Sequence, residues 1–280
     1  MTGMTRWADN SIYTGKIVII EKKLTKPQQL TKAGKMKTIV FDLNGTLSKS
    51  NEPIDSETGS LLKSLLSTYI VAIVSGASWK QMQYQVLDQL DIDRPEINNL
   101  YLLPTSGGSM YQVWGKYGWV AAYQNKFDRR DTVKIVKVLE DMVNDYELER
   151  PKSAWGKQID CRECQVTFSA LGPKAPVDIK EHWDFDNSKR KALVSSLQPK
   201  LQGYDIFISG KTSIDICPGG INKKFGVDEL MKRLHISKDD VVYVGNSIFR
   251  GGNDYAAVEM GLEYVQVQNP EHTKNWIRGL

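Results

Sequence analysis

Small polar side chains follow three apolar segments of this chain, and their types suit phosphate chemistry. Asp42 lies near the end of the apolar run TIVFDL, just before an Asn-Gly turn. Ser75 follows the run YIVAIV, and Asn246 follows the run VVYVG. Ligands of open parallel α/β sheets bind beyond the carboxyl ends of the strands. The sequence therefore predicts one polar site shared by three strand ends.

The residue types at this site indicate which reaction it could perform. An aspartate such as Asp42 can attack phosphorus, and the hydroxyl and ammonium groups of serine and lysine can bind phosphoryl oxygens. Lys223 lies between the second and third segments, and Asp254 ends the sequence GGND. A distant acid could complete a Mg²⁺ site, since Mg²⁺ prefers oxygen ligands. Taken singly, Asp42 could be a turn residue and Lys223 a solvated lysine beside Lys224, but their order favours phosphate chemistry.

The elements that must position these groups alternate between apolar strands and amphipathic helices. Continuously apolar strands are typical of a parallel sheet that is buried on both faces. We therefore predict an α/β core over residues 37–115 and 217–280, and an inserted α+β domain over residues 116–216. Residues 1–36, with one short apolar strand at 16–20, form an N-terminal appendage in which we recognise no chemistry.

Composition narrows the class of protein. Apolar residues make up 41% of the chain, which is enough for a sizeable core. With 37 basic and 33 acidic residues, the net charge of +4 is too balanced for a nucleic-acid or membrane-surface protein. No apolar run approaches the roughly 20 residues of a membrane helix, and the N-terminus has no apolar signal core. We expect a cytoplasmic protein with a small-molecule ligand; the sequence leaves the oligomeric state open.

The three cysteines fit a reducing compartment, and two of them form a C-x-x-C pattern. Cys161 and Cys164 have no second pair to complete a metal site. Residues 159–168 are predicted to form one strand, on which residues three apart point to opposite faces. A structural role is therefore favoured over metal or redox chemistry.

Four motifs, in this order, resemble those of the haloacid dehalogenase superfamily of phosphatases and mutases: FDLNGTL, IVSG, Lys223 and VGNSIFRGGND. The resemblance covers most of residues 37–270 and implies a Rossmann-like parallel-sheet core with an inserted α+β cap domain. It also implies Mg²⁺-dependent phosphoryl transfer through an aspartyl-phosphate. The roles implied are the nucleophile Asp42, the first-motif residue Asn44, the phosphoryl-binding residues Ser75 and Lys223, the substrate-binding residues Thr46 and Gly76, and the metal-site residues Asp42, Asn44 (through its backbone carbonyl), Asn246 and Asp254.

The cap resembles that of the phosphomannomutases, and more closely that of bacterial sugar-phosphate phosphatase-like proteins. Arg162, in IDCRECQVTFSALG, falls on an arginine that binds the substrate phosphate. Ser213 and Asp215, in SGKTSIDICPGGINK, fall on a serine and an aspartate that contact the sugar. Without the resemblance, Arg162 could be a surface residue, and Ser213 and Asp215 could form a solvated strand face.

The sequence departs from the family pattern at three positions. Asn44 and Asn246 stand where the family has acids, and Pro173, followed by Lys174, stands where true mutases have an arginine. The acid missing at position 44 protonates the leaving oxygen and activates water, which is worth roughly 10² to 10⁴ in rate. The missing arginine argues against a mutase, which must bind a phosphate at both ends of its sugar.

Three explanations of the asparagines stay open: a slow phosphatase, a binding protein without turnover, or substitutions introduced to trap a ligand. The groups expected to touch phosphate and metal are intact, so we expect a Mg²⁺-dependent phosphatase of small phosphate monoesters, in particular sugar phosphates. The alternatives are a phosphomannomutase-like phosphohexomutase and a non-catalytic phosphosugar-binding protein.

Overall fold

The computed structural model of this chain describes residues 37–92, 95–145 and 154–280. The predicted N-terminal appendage, residues 1–36, lies outside the described residues, and so does the strand predicted at 16–20. The elements in chain order are β1 (Thr38–Asp42), α1 (Ser56–Leu66), β2 (Ile70–Val74), α2 (Trp79–Gln85), β3 (Leu100–Leu103), β4 (Ser109–Val113), β5 (Trp119–Gln124), α3 (Arg129–Asp145), β6 (Ile159–Cys161), β7 (Val166–Ser169), α4 (Val177–Trp183), α5 (Ser188–Leu197), β8 (Tyr204–Ser209), β9 (Ser213–Pro218), α6 (Lys223–Leu234), β10 (Val241–Gly245), α7 (Ala256–Met260), β11 (Glu263–Gln266) and α8 (Pro270–Arg278).

The core domain is built on a seven-stranded sheet in the order β11-β10-β1-β2-β3-β4-β5. The first five strands of this order are parallel, and β4 and β5 extend the sheet as antiparallel strands. Strand β1 is central and buried at every position, because helices cover both faces. Phe41 packs in the apolar cluster on the side of α1, whereas Val40 packs with Val227 of α6 on the other side. The predicted α/β class is confirmed.

The cap is a second, antiparallel sheet of four strands in the order β6-β7-β9-β8. One face packs against α3 and α5 in a separate apolar cluster that contains Phe168, Ile214 and Ile216. Successive side chains of a strand point to opposite faces, so Thr167 and Asp215 lie on the face away from this cluster. The sequence SIDI alternates because Ile214 and Ile216 face the helices, whereas Ser213 and Asp215 face the other side of the sheet.

Strand β5 belongs to the core sheet, whereas the predicted boundary at residue 116 assigned it to the cap. Its backbone pairs with β4 over the register Val113↔Trp119 to Ser109↔Gln124. The Tyr123 ring also meets Phe225 of α6 edge-on, with ring centroids 5.7 Å apart. The chain therefore leaves the core sheet after Gln124.

Residues 159–168, predicted as one strand, form the two strands β6 and β7. The turn between them is closed by a hydrogen bond of 2.8 Å from the Arg162 backbone N–H to the Gln165 carbonyl. Cys161 is exposed, Cys164 is buried, and both are free thiols. The turn faces the core domain and carries Arg162 to it. Within the described part of the chain, no helix has both the length and the apolar character that crossing a membrane requires.

Candidate active site

A cleft lies where the carboxyl ends of the core strands meet the polar face of the cap sheet. Its cavity is about 150 Å³. Eight of the predicted site residues line it together: Asp42, Asn44, Ser75, Gly76, Arg162, Ser213, Asp215 and Asn246. Thr46, Lys223 and Asp254 lie behind this lining and are buried. Strand ends that are adjacent in the sheet thus bring together residues that are far apart in sequence.

Asp42 and Asp254 share the ammonium group of Lys223. Lys223 Nζ lies 2.5 Å from Asp42 Oδ1 and 2.7 Å from Asp254 Oδ1. Lys223 is the first residue of α6, and the side chain of Asn222 caps that helix. The cap fixes where the helix begins and therefore where Lys223 lies. Asp254 also accepts hydrogen bonds from the Tyr243 hydroxyl and from the Ser247 backbone N–H. Asp254 is therefore fixed on every side, and Lys223 is held against the last residue of β1.

The charges of this group depend on burial and on one another. Burial raises the pKa of Asp42 to about 6; the ammonium of Lys223 opposes this rise, and the charge of Asp254 adds to it. Burial alone would lower the pKa of Lys223, but the carboxylates of Asp254 and Asp42 outweigh it and raise the pKa. Lys223 thus stays charged at neutral pH, and Asp42 is mostly ionised there.

Asn44 is held by hydrogen bonds at both ends of its side-chain amide. Its Oδ1 accepts from the Asn51 backbone N–H at 2.8 Å and from Gln85 Nε2 at 3.1 Å. Its Nδ2 donates to Ser75 Oγ at 3.4 Å. Our sequence reasoning missed Gln85, which is fully buried; a lone glutamine between Met82 and Val86 on a buried helix face was the available signal.

Two residues of the β6–β7 hairpin join the cap to the core. The guanidinium of Arg162 donates to the Gly76 carbonyl and, at 2.8 Å, to Asp160 Oδ2. Gln165 Nε2 donates to the same Gly76 carbonyl at 2.9 Å, and Gln165 Oε1 accepts from Ser106 Oγ at 2.7 Å. Sequence reasoning singled out Arg162 but missed Gln165, which is fully buried at the start of an apolar strand.

Ser213 and Asp215 lie on the cap face that lines the cleft. Asp215 is only 2% exposed, and its Oδ1 accepts from Thr167 Oγ1 at 2.7 Å. The hydroxyls of Ser213 and Ser169 are 2.9 Å apart. The low exposure of Asp215 rules out the solvated-face explanation of this strand.

The oxygen atoms around Asp42 suit a hard cation such as Mg²⁺, although few of them carry a negative charge. Asp42 Oδ2 and Thr46 Oγ1 are buried without hydrogen bonds of ordinary geometry, although the hydroxyl is near enough to lower the pKa of Asp42. Asn246 Nδ2 donates to the Asn44 backbone carbonyl at 3.5 Å, and Asn246 Oδ1 accepts from Ser247 Oγ at 3.0 Å, so this amide would have to turn over to offer its oxygen to a cation. Among the described residues, no three His, Cys, Asp or Glu side chains form a metal-binding group. Carbonyl, amide and carboxylate oxygens are nevertheless ligands that suit Mg²⁺.

Comparison with known proteins shows which family this chain belongs to. The sequence profile described as haloacid dehalogenase-like hydrolase matches residues 39–260. A phosphomannomutase of Encephalitozoon cuniculi is 24% identical over 247 residues, covering 85% of this chain and 91% of that protein. Phosphomannomutase 1 of Homo sapiens is 24% identical over 226 residues, covering 77% and 80%.

Solved structures share the fold at low identity. The IMP-bound IMP-nucleotidase of Plasmodium falciparum, truncated at its N-terminus, aligns with a TM-score of 0.62 at 20% identity, over 87% of this chain and 67% of that one. A haloacid dehalogenase-like hydrolase from Bacteroides thetaiotaomicron aligns with a TM-score of 0.52 at 16% identity, over 88% and 99%. With its profile match over most of the chain, this protein belongs to the haloacid dehalogenase-like hydrolase family.

Proposed function

We propose that this protein is a phosphatase that transfers the phosphoryl group of a small phosphate monoester to Asp42 and then to water. The observation that carries the proposal is the arrangement of Asp42 at the cleft. One of its oxygens is held by Lys223, and the other has no ordinary hydrogen bond. A free carboxylate oxygen beside a fixed cation suits attack on phosphorus.

The reaction takes two displacements. In the first, an Asp42 oxygen bonds to phosphorus while the bond to the alcohol oxygen breaks, and that oxygen leaves with the electron pair and takes a proton from water. In the second, water attacks the phosphorus and gives up a proton to solvent, the bond to Asp42 breaks, and inorganic phosphate leaves. Lys223 and the Ser75 hydroxyl hold the phosphoryl oxygens in both steps, and Thr46 and Gly76 border the phosphoryl group.

Mg²⁺ would be held by Asp42, by the Asn44 carbonyl and by Asn246, with Asp254 fixing the surrounding groups. When bound, the cation supplies positive charge that offsets repulsion between the phosphate and the Asp42 carboxylate. Asn246 offers an oxygen without a charge, so we propose weak metal binding. Arg162, Ser213 and Asp215 would bind the remainder of the substrate, which we propose to be a sugar, with the cap serving as the specificity domain.

The amides at positions 44 and 246 favour one second candidate, a phosphosugar-binding protein without turnover. Phosphate release from a panel of sugar phosphates with Mg²⁺ distinguishes the two, using the chain as given, Asn44→Asp and Asp42→Ala. We expect slow release by the given chain and none by Asp42→Ala. Activity only in Asn44→Asp would support the binding protein. No release even from Asn44→Asp would contradict the phosphatase, and conversion of a hexose 1-phosphate to the 6-phosphate would support a mutase instead.

A further inference from the structure

Lys180 is a buried cation in the cleft that the proposed reaction does not use. It lies on α4 of the cap, is 4% exposed, and lines the same cavity as Asp42. Its Nζ donates one hydrogen bond, of 2.9 Å, to the Pro173 carbonyl. An ammonium group has three donors, and Lys180 forms no salt bridge with any residue that the structure describes.

The other buried cations of the described chain, unlike Lys180, form salt bridges with carboxylates. Lys223, Arg190 and Lys274 each pair with at least one carboxylate at 2.7 Å or less. Burying a charge without a partner costs free energy, so such pairing is the ordinary arrangement. Burial lowers the pKa of Lys180, and the charge of Glu52 opposes this effect without a direct contact. Lys180 is thus a buried cation that, within the described part of the chain, has no carboxylate in direct contact.

The cap side of the cleft has few negative charges to offer. Three cations line it, Arg162, Lys180 and Lys211, together with two carboxylates, Asp160 and Asp215. Asp160 pairs with Arg162, and Asp215 accepts its hydrogen bond from a threonine hydroxyl. The cap therefore presents positive charge to whatever part of a substrate lies beyond the phosphoryl group.

We propose that Lys180 binds a second anionic group of the substrate, a carboxylate or a phosphate, remote from the phosphorus that Asp42 attacks. The inference rests on the proposed function and narrows its substrate class to phosphate monoesters that carry a further negative charge. The two remaining donors of the Lys180 ammonium would bind two oxygens of that group. Substrates with a neutral hydroxyl at this position would leave the buried charge unpaired.

Three glucose 1-phosphates that differ only at C6 test the proposal: glucose 1-phosphate itself, glucuronic acid 1-phosphate and glucose 1,6-bisphosphate. We expect the given chain to have a higher kcat/KM for the two charged compounds. Lys180→Met should lower their kcat/KM by roughly 10- to 100-fold, as for the loss of one hydrogen-bonded charge, with little effect on glucose 1-phosphate. Lys180→Arg should retain the preference. The charged compound that loses more kcat/KM in Lys180→Met shows whether the site prefers a carboxylate or a phosphate.

Lys174→Met is the matched control, because Lys174 is an exposed lysine of the same cap segment. It should leave all three kcat/KM values unchanged. Equal losses for the three compounds in Lys180→Met would overturn the proposal, and so would equal effects of the two methionine variants. The thermal midpoint of Lys180→Met should not fall, because methionine removes an unpaired buried charge. A lowered midpoint with uniformly reduced activity would make Lys180 structural.

A binding measurement separates failure of this inference from failure of the phosphatase. If neither the given chain nor Asn44→Asp releases phosphate from any of the three compounds, the phosphatase proposal fails. Thermal shifts with the same compounds then decide the role of Lys180, because bound ligand raises the midpoint. Larger shifts with the charged compounds, lost in Lys180→Met, would support the anion site; equal shifts would refute it.

Discussion

Asn44 is bound at its amide oxygen by Asn51 and Gln85 and at its amide nitrogen by Ser75. These contacts fix the position of the side chain, but an amide cannot act as a general acid or base. In the proposed reaction, residue 44 therefore cannot give the leaving alcohol its proton, and we expect that proton to come from water. The cost of that step rises with the basicity of the leaving oxygen, so the rate should depend strongly on the leaving group.

We predict that the given chain hydrolyses p-nitrophenyl phosphate much faster than an alkyl phosphate such as glucose 6-phosphate. Asn44→Asp should raise the alkyl phosphate rate by roughly 10² to 10⁴, the worth of a positioned general acid, and the p-nitrophenyl phosphate rate by much less. Steady-state kcat for both esters measures this. An equal gain on both would mean that protonation of the leaving group is not what the chain lacks.

Sequence patterns could predict the residues that end strands but not those that approach from other elements. Asp42, Ser75 and Asn246 each follow an apolar run, and parallel strand ends meet at one edge. Gln85, Gln165 and Lys180 lie on other elements, and their spacing shows no local pattern. Gln165, for example, meets the Gly76 carbonyl across 89 positions of sequence. Such contacts depend on how two domains dock, which periodicity does not encode.

At the scale of elements, α8 is fastened to the start of α1 by Lys274. Its Nζ lies 2.6 Å from Asp55 Oδ2, and the side chain of Asp55 also caps α1 through the Thr58 N–H. Burial would raise the pKa of Asp55, but the hydrogen bonds from Lys274 and Thr58 outweigh it and lower the pKa below 3.8. The contact therefore stabilises the fold above this pH and is lost as the pH falls through the folded-state pKa.

Lys274→Met should lower the free energy of unfolding at pH 7 by up to about 1 kcal/mol, a modest value because the Asp55 side chain is 56% exposed. The difference from the unmodified chain should shrink below pH 3.8, where Asp55 is protonated in the unfolded state. Urea unfolding at both pH values measures it, with Lys200→Met, at an exposed lysine, as control. A difference that persists in acid would mean that Lys274 acts through packing rather than charge.

Which sheet each strand joins could not be predicted from the sequence. The runs that form β5 and β6 are only partly buried. Local periodicity therefore identifies each as a strand without naming its partner. Hydrogen bonding to β4 places β5 in the core sheet, and the turn at Arg162 divides β6 from β7. Both outcomes depend on long-range pairing, whereas the buried parallel strands were evident from continuous apolar runs.

At the scale of the whole molecule, the cap and the core meet at the Gly76 carbonyl. Arg162 and Gln165 both donate to it, and Ser106 of the core donates back to Gln165. This contact lies beside Ser75, which we propose to hold the phosphoryl group. Closing the cap and binding substrate are therefore expected to depend on one another.

Gln165→Leu keeps the approximate size of the side chain but removes both of its hydrogen bonds to the core. We predict a higher KM for the hydrolysed ester, with a smaller change in kcat, because the closed state becomes less populated. Small-angle scattering should show less compaction of this variant when ligand is added. Gln83→Leu, on α2 but not among the residues that line the cleft, is the control. If KM and compaction are unchanged in Gln165→Leu, this contact does not contribute to closure of the cap.

The central position of β1 has a consequence for how the chain is made. β1 pairs with β2 on one side and with β10 on the other, and the cap strands lie between these partners in sequence. On the ribosome, β1 through β5 emerge early, while β10 and β11 follow only after the whole cap has been synthesised. Until then β1, a strand that is buried at every position in the finished fold, has one bare edge, which is the kind of surface that aggregates or recruits chaperones. A ribosome that stalls within the cap therefore carries a nascent chain with this edge unprotected.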